Sequence, residues 1–131
     1  MQAYLIIFLG GGLGAAARHF VGAATGRSFG HGFPIGTLTV NVIGSLFMGV
    51  LIGWLAQRAL GNMINGQDLR LFLATGFLGG FTTFSAFSLD AITLWERGAT
   101  GLAAGYVVGS VVLSVLAVFF GLAIARALFA G

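Results

Sequence analysis

Apolar and polar positions fall into long blocks along this chain. Apolar blocks run from about Ala3 to Ala24, Phe33 to Gln57, Leu69 to Trp95 and Thr100 to Arg126. Each is long enough for a membrane-spanning helix, which needs about 20 mostly apolar residues. Short polar links separate the blocks, at Gly26–Gly32, Arg58–Asp68 and Glu96–Gly98. The pattern predicts one all-α domain over residues 1–131, with four transmembrane helices.

Composition agrees with a membrane protein. Of the 131 residues, 58% are hydrophobic and only 7% are charged, whereas a soluble domain carries about 25% charged residues. Cysteine is absent, which excludes disulfides and thiol ligands. The net charge of +3 comes from scattered arginines, so we do not expect nucleic acid as a partner. No basic residue precedes the first apolar block, which we interpret as a retained span rather than a signal peptide.

The arginines bear on orientation. Four spans place both termini on one side, and positive residues bias a span's direction of insertion. That side would hold Arg58, Arg70 and Arg126, and the other Arg27, Arg97 and, if it reaches the surface, Arg18. This balance predicts insertion in both orientations, unless such small counts carry no information.

Small residues recur at four-residue spacing, which lets helices in a membrane approach closely. Gly101, Gly105 and Gly109 form one such stripe in the fourth span. Ser45, Gly49 and Gly53 form another in the second span, and the first span contains its own glycine cluster. Because four short helices enclose little interior, we expect the chain to oligomerise.

The third span has an unusual centre, GFLGGFTTFSAFS at Gly76–Ser88. Its glycines weaken a helix, and its threonines and serines supply hydrogen-bond donors. A span can be broken only where the freed backbone groups are buried in protein or face a wet cavity. The segment therefore predicts a third helix that is broken mid-membrane.

Two other spans carry polar stripes. Thr37, Asn41 and Ser45 share one face of the second span, and Tyr106, Ser110 and Ser114 share one face of the fourth. Phe84 and Phe87 share a face of the third span. These stripes indicate either a polar pathway or packing through interhelical hydrogen bonds. Asn41 favours the pathway, because a mid-span amide is costly unless it is satisfied or wet.

Titratable residues offer little for catalysis, and we do not expect an enzyme. No pair of carboxylates is placed for acid–base chemistry. His19 and His31 are interpreted as interfacial residues. Asp90 is the one acid inside an apolar block, and it fits an interfacial or paired role better than proton coupling. Arg18 either extends to the interface or lines a vestibule that attracts anions.

The segments GTLTVN (Gly36–Asn41), GFLGGFTTFSAFS and ERG (Glu96–Gly98) resemble the CrcB/Fluc family of fluoride channels. Arg18 and the Tyr106, Ser110 and Ser114 stripe also resemble that family, so the resemblance covers the whole chain. It implies a dual-topology homodimer of antiparallel subunits, with two pores that conduct fluoride passively across the inner membrane of a bacterium. Such a channel relieves fluoride toxicity.

The resemblance also implies roles for individual residues. The pore would be lined by Thr37, Asn41, Phe84, Ser85, Phe87, Tyr106, Ser110 and Ser114. Arg18 would lie near a vestibule. The backbone carbonyls of Gly79 and Thr82 would hold a structural sodium ion between the two subunits.

One position departs from the family pattern. Ala86 stands where many relatives have a hydroxyl residue, which removes a possible donor. Two other functions remain open from the residues alone: a small proton-coupled exporter, which usually needs an acid in the first span, and a non-conducting assembly protein.

Overall fold

A computed structural model describes residues 1–29, 32–57 and 64–129. The helical elements are α1 (Gln2–Phe29), α2 (Ile35–Gln57), α3 (Ile64–Arg70), a π-helical segment (Leu71–Leu78), α4 (Gly79–Phe81), α5 (Phe84–Glu96) and α6 (Thr100–Phe129). α1, α2, α6 and the composite stretch Gly66–Glu96 are long and apolar enough to cross a membrane. The all-α prediction of four spans is therefore confirmed. His31, Arg58 and the first part of the link that follows Arg58 lie outside the described residues.

The four spans pack as two pairs. α2 lies along α6, and α1 lies against the π-helical segment and α4. α2 and α6 cross backbone to backbone: a Cβ placed on Gly49 would lie 3.0 Å from Leu122 N, and one on Gly121 would lie 3.0 Å from the Gly49 Cα. Close approach of this kind strengthens van der Waals packing in a bilayer, where hydrophobic burial between helices gains nothing over lipid.

The glycine-rich stretches of the first and third spans pack against each other. A Cβ on Gly10 would lie 2.5 Å from the Phe72 carbonyl oxygen, and a Cβ on Gly80 would lie 3.0 Å from the Gly11 Cα. Gly76 and Gly80 therefore permit close contact with α1 instead of interrupting the helix, and Gly79–Phe81 is α-helical.

The predicted break in the third span is present, but it falls just after these glycines. Thr82 has φ −80° and ψ 158°, and Thr83 has φ −153° and ψ 118°, so both residues are extended. The Thr83 hydroxyl then caps α5 by accepting a hydrogen bond from the Ala86 amide at 3.1 Å, as N-cap threonines do.

The predicted stripe of Gly101, Gly105 and Gly109 does not pack within the chain. Among the described residues, a Cβ on any of the three would meet no atom within 4 Å. α6 uses Gly121 for its crossing instead, because its C-terminal half lies against α2. The short link from α5 to α6 turns at Gly98, whose φ of +76° suits glycine and few other residues.

The interior is small and most large apolar side chains face outward. Val40 and Tyr106 are 1% and 2% exposed, whereas Phe8, Phe20 and Phe119 are 75%, 74% and 65% exposed. In water such a surface would aggregate, but in a bilayer it contacts lipid or another subunit.

Candidate functional site

The broken part of the third span is held by one side chain from α2. The Thr83 amide donates to Asn41 Oδ1 at 2.8 Å, and Asn41 Nδ2 donates to the Thr83 carbonyl at 3.1 Å. The side-chain amide thus pairs with the backbone of Thr83 as another peptide group would. This pairing accounts for an asparagine at mid-span, because backbone groups left unpaired in the membrane are costly.

The break deprives the carbonyls at the end of the helix of their intrahelical donors, those of Gly79 and Thr82 among them. In a continuous α-helix the Thr83 amide would bond the Gly79 carbonyl, and the Ala86 amide would bond the Thr82 carbonyl. Here those amides donate to Asn41 Oδ1 and to the Thr83 hydroxyl. Gly79 and Thr82 are the two residues that the family resemblance assigns to a cation, and both lose their helical donors.

Arg18 lies at this break. Its Nη1 donates to the Thr82 carbonyl at 3.4 Å, which joins α1 to the extended residues. Arg18 is half-buried. The sequence suggested that Arg18 either extends to the interface or lines a vestibule. Its hydrogen bond to the Thr82 carbonyl is a further contact, which the sequence did not predict.

A groove of about 370 Å³ lies beside the break. Its walls include most of the residues that the sequence singled out for a pathway: Asn41, Ser45, Phe84, Phe87, Ser110 and Ser114. Three different spans therefore converge there. Thr82 and Thr83 also line the groove, so its wall includes the break itself.

The two phenylalanines present different surfaces to this groove. Their ring centroids are 5.4 Å apart with the planes at 44°. Phe87 is 8% exposed and packs against Tyr106, whereas Phe84 is 78% exposed. Ser85 is not among the groove-lining residues. Its hydroxyl lies 3.3 Å from the Thr83 hydroxyl at the start of α5.

Ser110 contributes a hydroxyl that is free to bind something else. It is only 4% exposed, and within the described part of the chain its Oγ has no hydrogen-bond partner. Buried polar atoms are nearly always paired in native proteins. An unpaired buried hydroxyl on the wall of a groove is therefore available to a ligand.

A second polar cluster lies around Asp90. Thr37 Oγ1 donates to Asp90 Oδ2 at 2.6 Å, and the Tyr106 hydroxyl donates to the same oxygen at 3.3 Å. A cavity of about 270 Å³ is lined by Thr37 and Asp90, together with Thr93 and Arg97. Tyr106 connects the two regions, because its ring packs against Phe87 of the groove and Phe33 of this cavity.

The sequence favours an interfacial or paired role for Asp90 over proton coupling, and its hydrogen bonds with Thr37 and Tyr106 agree with the paired role. The sequence feature that points to this position is the spacing of three residues between Phe87 and Asp90, which places both residues on one face of α5. Thr37 was assigned to the pore, and the structure places it in the Asp90 cluster, away from the groove lining.

The chain has clear relatives among known proteins. Residues 5–122 match the family described as CrcB-like protein, Camphor Resistance (CrcB). The chain belongs to this family. It is 55% identical to the fluoride-specific ion channel FluC of Rhodopseudomonas palustris (strain BisB5) over 125 residues, which cover 95% of this chain and 98% of the relative. It is 56% identical to the FluC channel of Paracoccus denitrificans (strain Pd 1222), over 97% of each chain.

These relatives confirm the family suggested by the sequence. Both relatives are named as ion channels. Because the chain belongs to the same family, the prediction that it is not an enzyme is confirmed. Together with the four apolar spans, the relatives establish a multi-pass membrane protein.

Proposed function

We propose that this chain forms a fluoride-selective channel that lets toxic fluoride leave the cell passively. The names of its relatives support the choice of ion. The observation that carries the proposal is the groove beside the break, where the unpaired hydroxyl of Ser110 meets Asn41 and the Phe84–Phe87 pair.

The chemistry of this groove suits a small anion with a tightly held water shell. Such an ion enters only where protein groups replace its water. The hydroxyls of Ser110 and Ser114 can donate, and Asn41 has one N–H left after it bonds Thr83. The edge of an aromatic ring is electropositive, so Phe84 and Phe87 add attraction without a fixed charge.

Of the residues that the structure describes, none with a charged side chain lines the groove, and this also matters for release. Conduction needs an ion to be bound well enough to enter and weakly enough to leave. An arginine in the narrow part would hold fluoride too strongly. Neutral donors and ring edges provide attraction of intermediate strength.

The second half of the proposal is a homodimer of antiparallel subunits with two pores. Phe84 is 78% exposed in the single chain, so one wall of the groove faces outward and a second copy would close it. Apart from Arg18, which lies at the break, three arginines fall on one side and two on the other, and this near balance permits both orientations in one membrane. We assign the dimer to the inner membrane of a bacterium.

A sodium ion fits the same arrangement. The carbonyls of Gly79 and Thr82 lose their helical donors where the continuous helical stretch of residues 64–81 ends, and this end carries the negative pole of the helix dipole. Oxygen ligands suit hard cations. Carbonyls from two antiparallel copies would hold sodium at the dimer centre, where its charge would draw the two breaks together.

The proposal is tested by fluoride efflux from liposomes that contain the purified protein, read with a fluoride electrode at neutral pH without a proton gradient. We expect rapid fluoride efflux, with chloride retained. Folded protein that releases no fluoride would refute the channel. Chloride efflux at a similar rate would refute selectivity, and efflux that requires a proton gradient would favour an exporter.

A further inference from the structure

Arg18 is a charged side chain placed well inside an apolar helix. It lies in the body of α1 (Gln2–Phe29), and its guanidinium donates to a backbone carbonyl of another span. Ionisable groups within spans are expensive and usually mark a functional site. The partner of Arg18 is the carbonyl of Thr82, a residue that the proposed sodium ion also needs.

The electrostatics of the break explain why the positively charged side chain of Arg18 lies there. The continuous helical stretch of residues 64–81 ends at Phe81, so its negative pole lies next to Thr82, whose carbonyl has lost its helical donor. A positive charge near the C-terminal end of a helix is stabilising. Arg18 supplies that charge from within the chain.

We propose that Arg18 is a positioning residue of the cation site, which shares the Thr82 carbonyl with sodium and by its charge weakens sodium binding. This inference rests on the sodium site proposed above. A carbonyl oxygen has two lone pairs, so it can accept from Arg18 and still bind an ion.

The distances make the repulsion substantial. Arg18 Nη1 lies 3.4 Å from the Thr82 oxygen, and a hard cation lies about 2.4 Å from an oxygen ligand. Arg18 Nη1 and a cation on that oxygen would therefore be at most about 6 Å apart, within one Debye length at physiological salt. Removing the charge of Arg18 should therefore raise the affinity for sodium. It should also make the stability of the break more dependent on bound sodium.

The test is a sodium titration of thermal stability, on the full chain in detergent, with N-methylglucamine replacing sodium to keep the ionic strength constant. A ligand that binds only the folded state raises its stability by mass action, so the midpoint reports affinity without any flux measurement. The variants are Arg18→Gln, which removes the charge, and Arg18→Lys, which keeps it. Arg126→Gln is the control, because Arg126 is exposed in the last turn of α6.

We expect the sodium midpoint of Arg18→Gln to fall by about tenfold or more, since the repulsion acts across a short, partly buried distance. Without sodium this variant should melt at a lower temperature than the wild type. Arg18→Lys should stay within about threefold of the wild type, because the charge persists although the fork of donors is lost. Arg126→Gln should match the wild type.

The outcomes separate the two proposals. A midpoint for Arg18→Gln that is unchanged or higher overturns the inference, as does failure of this variant to fold in saturating sodium, because sodium should replace the lost charge. A sodium response in Arg18→Gln but none in the wild type would mean that Arg18 replaces sodium instead of sharing the carbonyl with it, and would overturn the inference together with the sodium site of the native protein. No response in either protein refutes both.

Discussion

Asn41→Ala is the change that exposes the role of the helix break most clearly. Asn41 makes two hydrogen bonds to the backbone of Thr83, at 2.8 and 3.1 Å. Alanine removes both, and leaves an amide and a carbonyl of a buried residue unpaired. Thr83 is 8% exposed and lines the groove.

The expected loss of stability follows from this count. An unsatisfied buried polar group costs about 1–3 kcal/mol, and two of them cost about 2–6 kcal/mol. Because the groove admits some water to the break, we expect the lower part of that range, about 2–4 kcal/mol. At about 3 °C per kcal/mol for a chain of this length, the melting temperature should fall by about 6 °C or more.

Two further variants test the pairing and the pore. Asn41→Asp keeps an acceptor for the Thr83 amide but turns a carboxylate oxygen toward the Thr83 carbonyl inside a span, where an ionised group is costly, so its loss of stability should equal or exceed that of Asn41→Ala. Its negative charge also repels anions, and fluoride efflux should be abolished. Ser45→Ala lies one turn away on the same groove and should melt close to the wild type.

The assays are thermal unfolding in detergent, followed by fluoride efflux from liposomes for each variant that remains folded. The reasoning is refuted if Asn41→Ala melts within about 1 °C of the wild type, since that shift corresponds to well under 1 kcal/mol. Efflux at the wild-type rate from Asn41→Ala would refute the assignment of this residue to the pore.

Three further predictions concern other parts of the molecule. Phe84→Ile should slow fluoride efflux by about tenfold or more, because it removes an aromatic edge from an exposed position, while gel filtration shows an unchanged oligomer; an unchanged rate would contradict the role of the ring. Asp90→Asn should lower stability by about 1–2 kcal/mol, because its two hydrogen bonds lose their charge assistance, and a melting temperature equal to the wild type would contradict this. Gly14→Val should prevent folding, because a Cβ there would lie 2.9 Å from the Phe77 carbonyl carbon. Gly12→Ala is its control, since a Cβ on Gly12 meets no described atom within 4 Å, and equal yields of folded protein from the two variants would refute the close packing of α1.

Hydrophobic length was enough to predict the four spans, because the bilayer imposes a minimum length on each helix. Spacing within helices was enough to place Asn41 with Ser45, and Ser110 with Ser114, since residues four apart share a face. The structure then brings those two faces together in one groove. The roles assigned to these residues remain predictions until conduction is measured.

The local geometry of the third span could not be predicted in the same way. Glycine indicates backbone freedom or close packing, and the sequence alone does not separate the two. Gly80 is helical because α1 packs on it, so the break moves on to Thr82 and Thr83. The π-helical segment Leu71–Leu78 has no comparable sequence signature.

Partners distant in sequence were the other source of error. The bond between Thr37 and Asp90 spans 53 residues, and that between Arg18 and Thr82 spans 64. Periodicity assigns a residue to a face of its own helix but does not say which helix covers that face. The stripe of Gly101, Gly105 and Gly109 shows the same limit, because small residues permit a contact that the single chain does not make.

The central claim is that the groove beside the break forms a pore selective for fluoride. The most direct measurement is the reversal potential in a planar bilayer that contains the protein, with fluoride on one side and an equal concentration of chloride on the other. We predict a current carried by fluoride, a reversal potential far toward the fluoride equilibrium value, and a current reduced by about tenfold or more in Phe84→Ile. A reversal potential near zero would mean that chloride passes equally well, and would contradict the account.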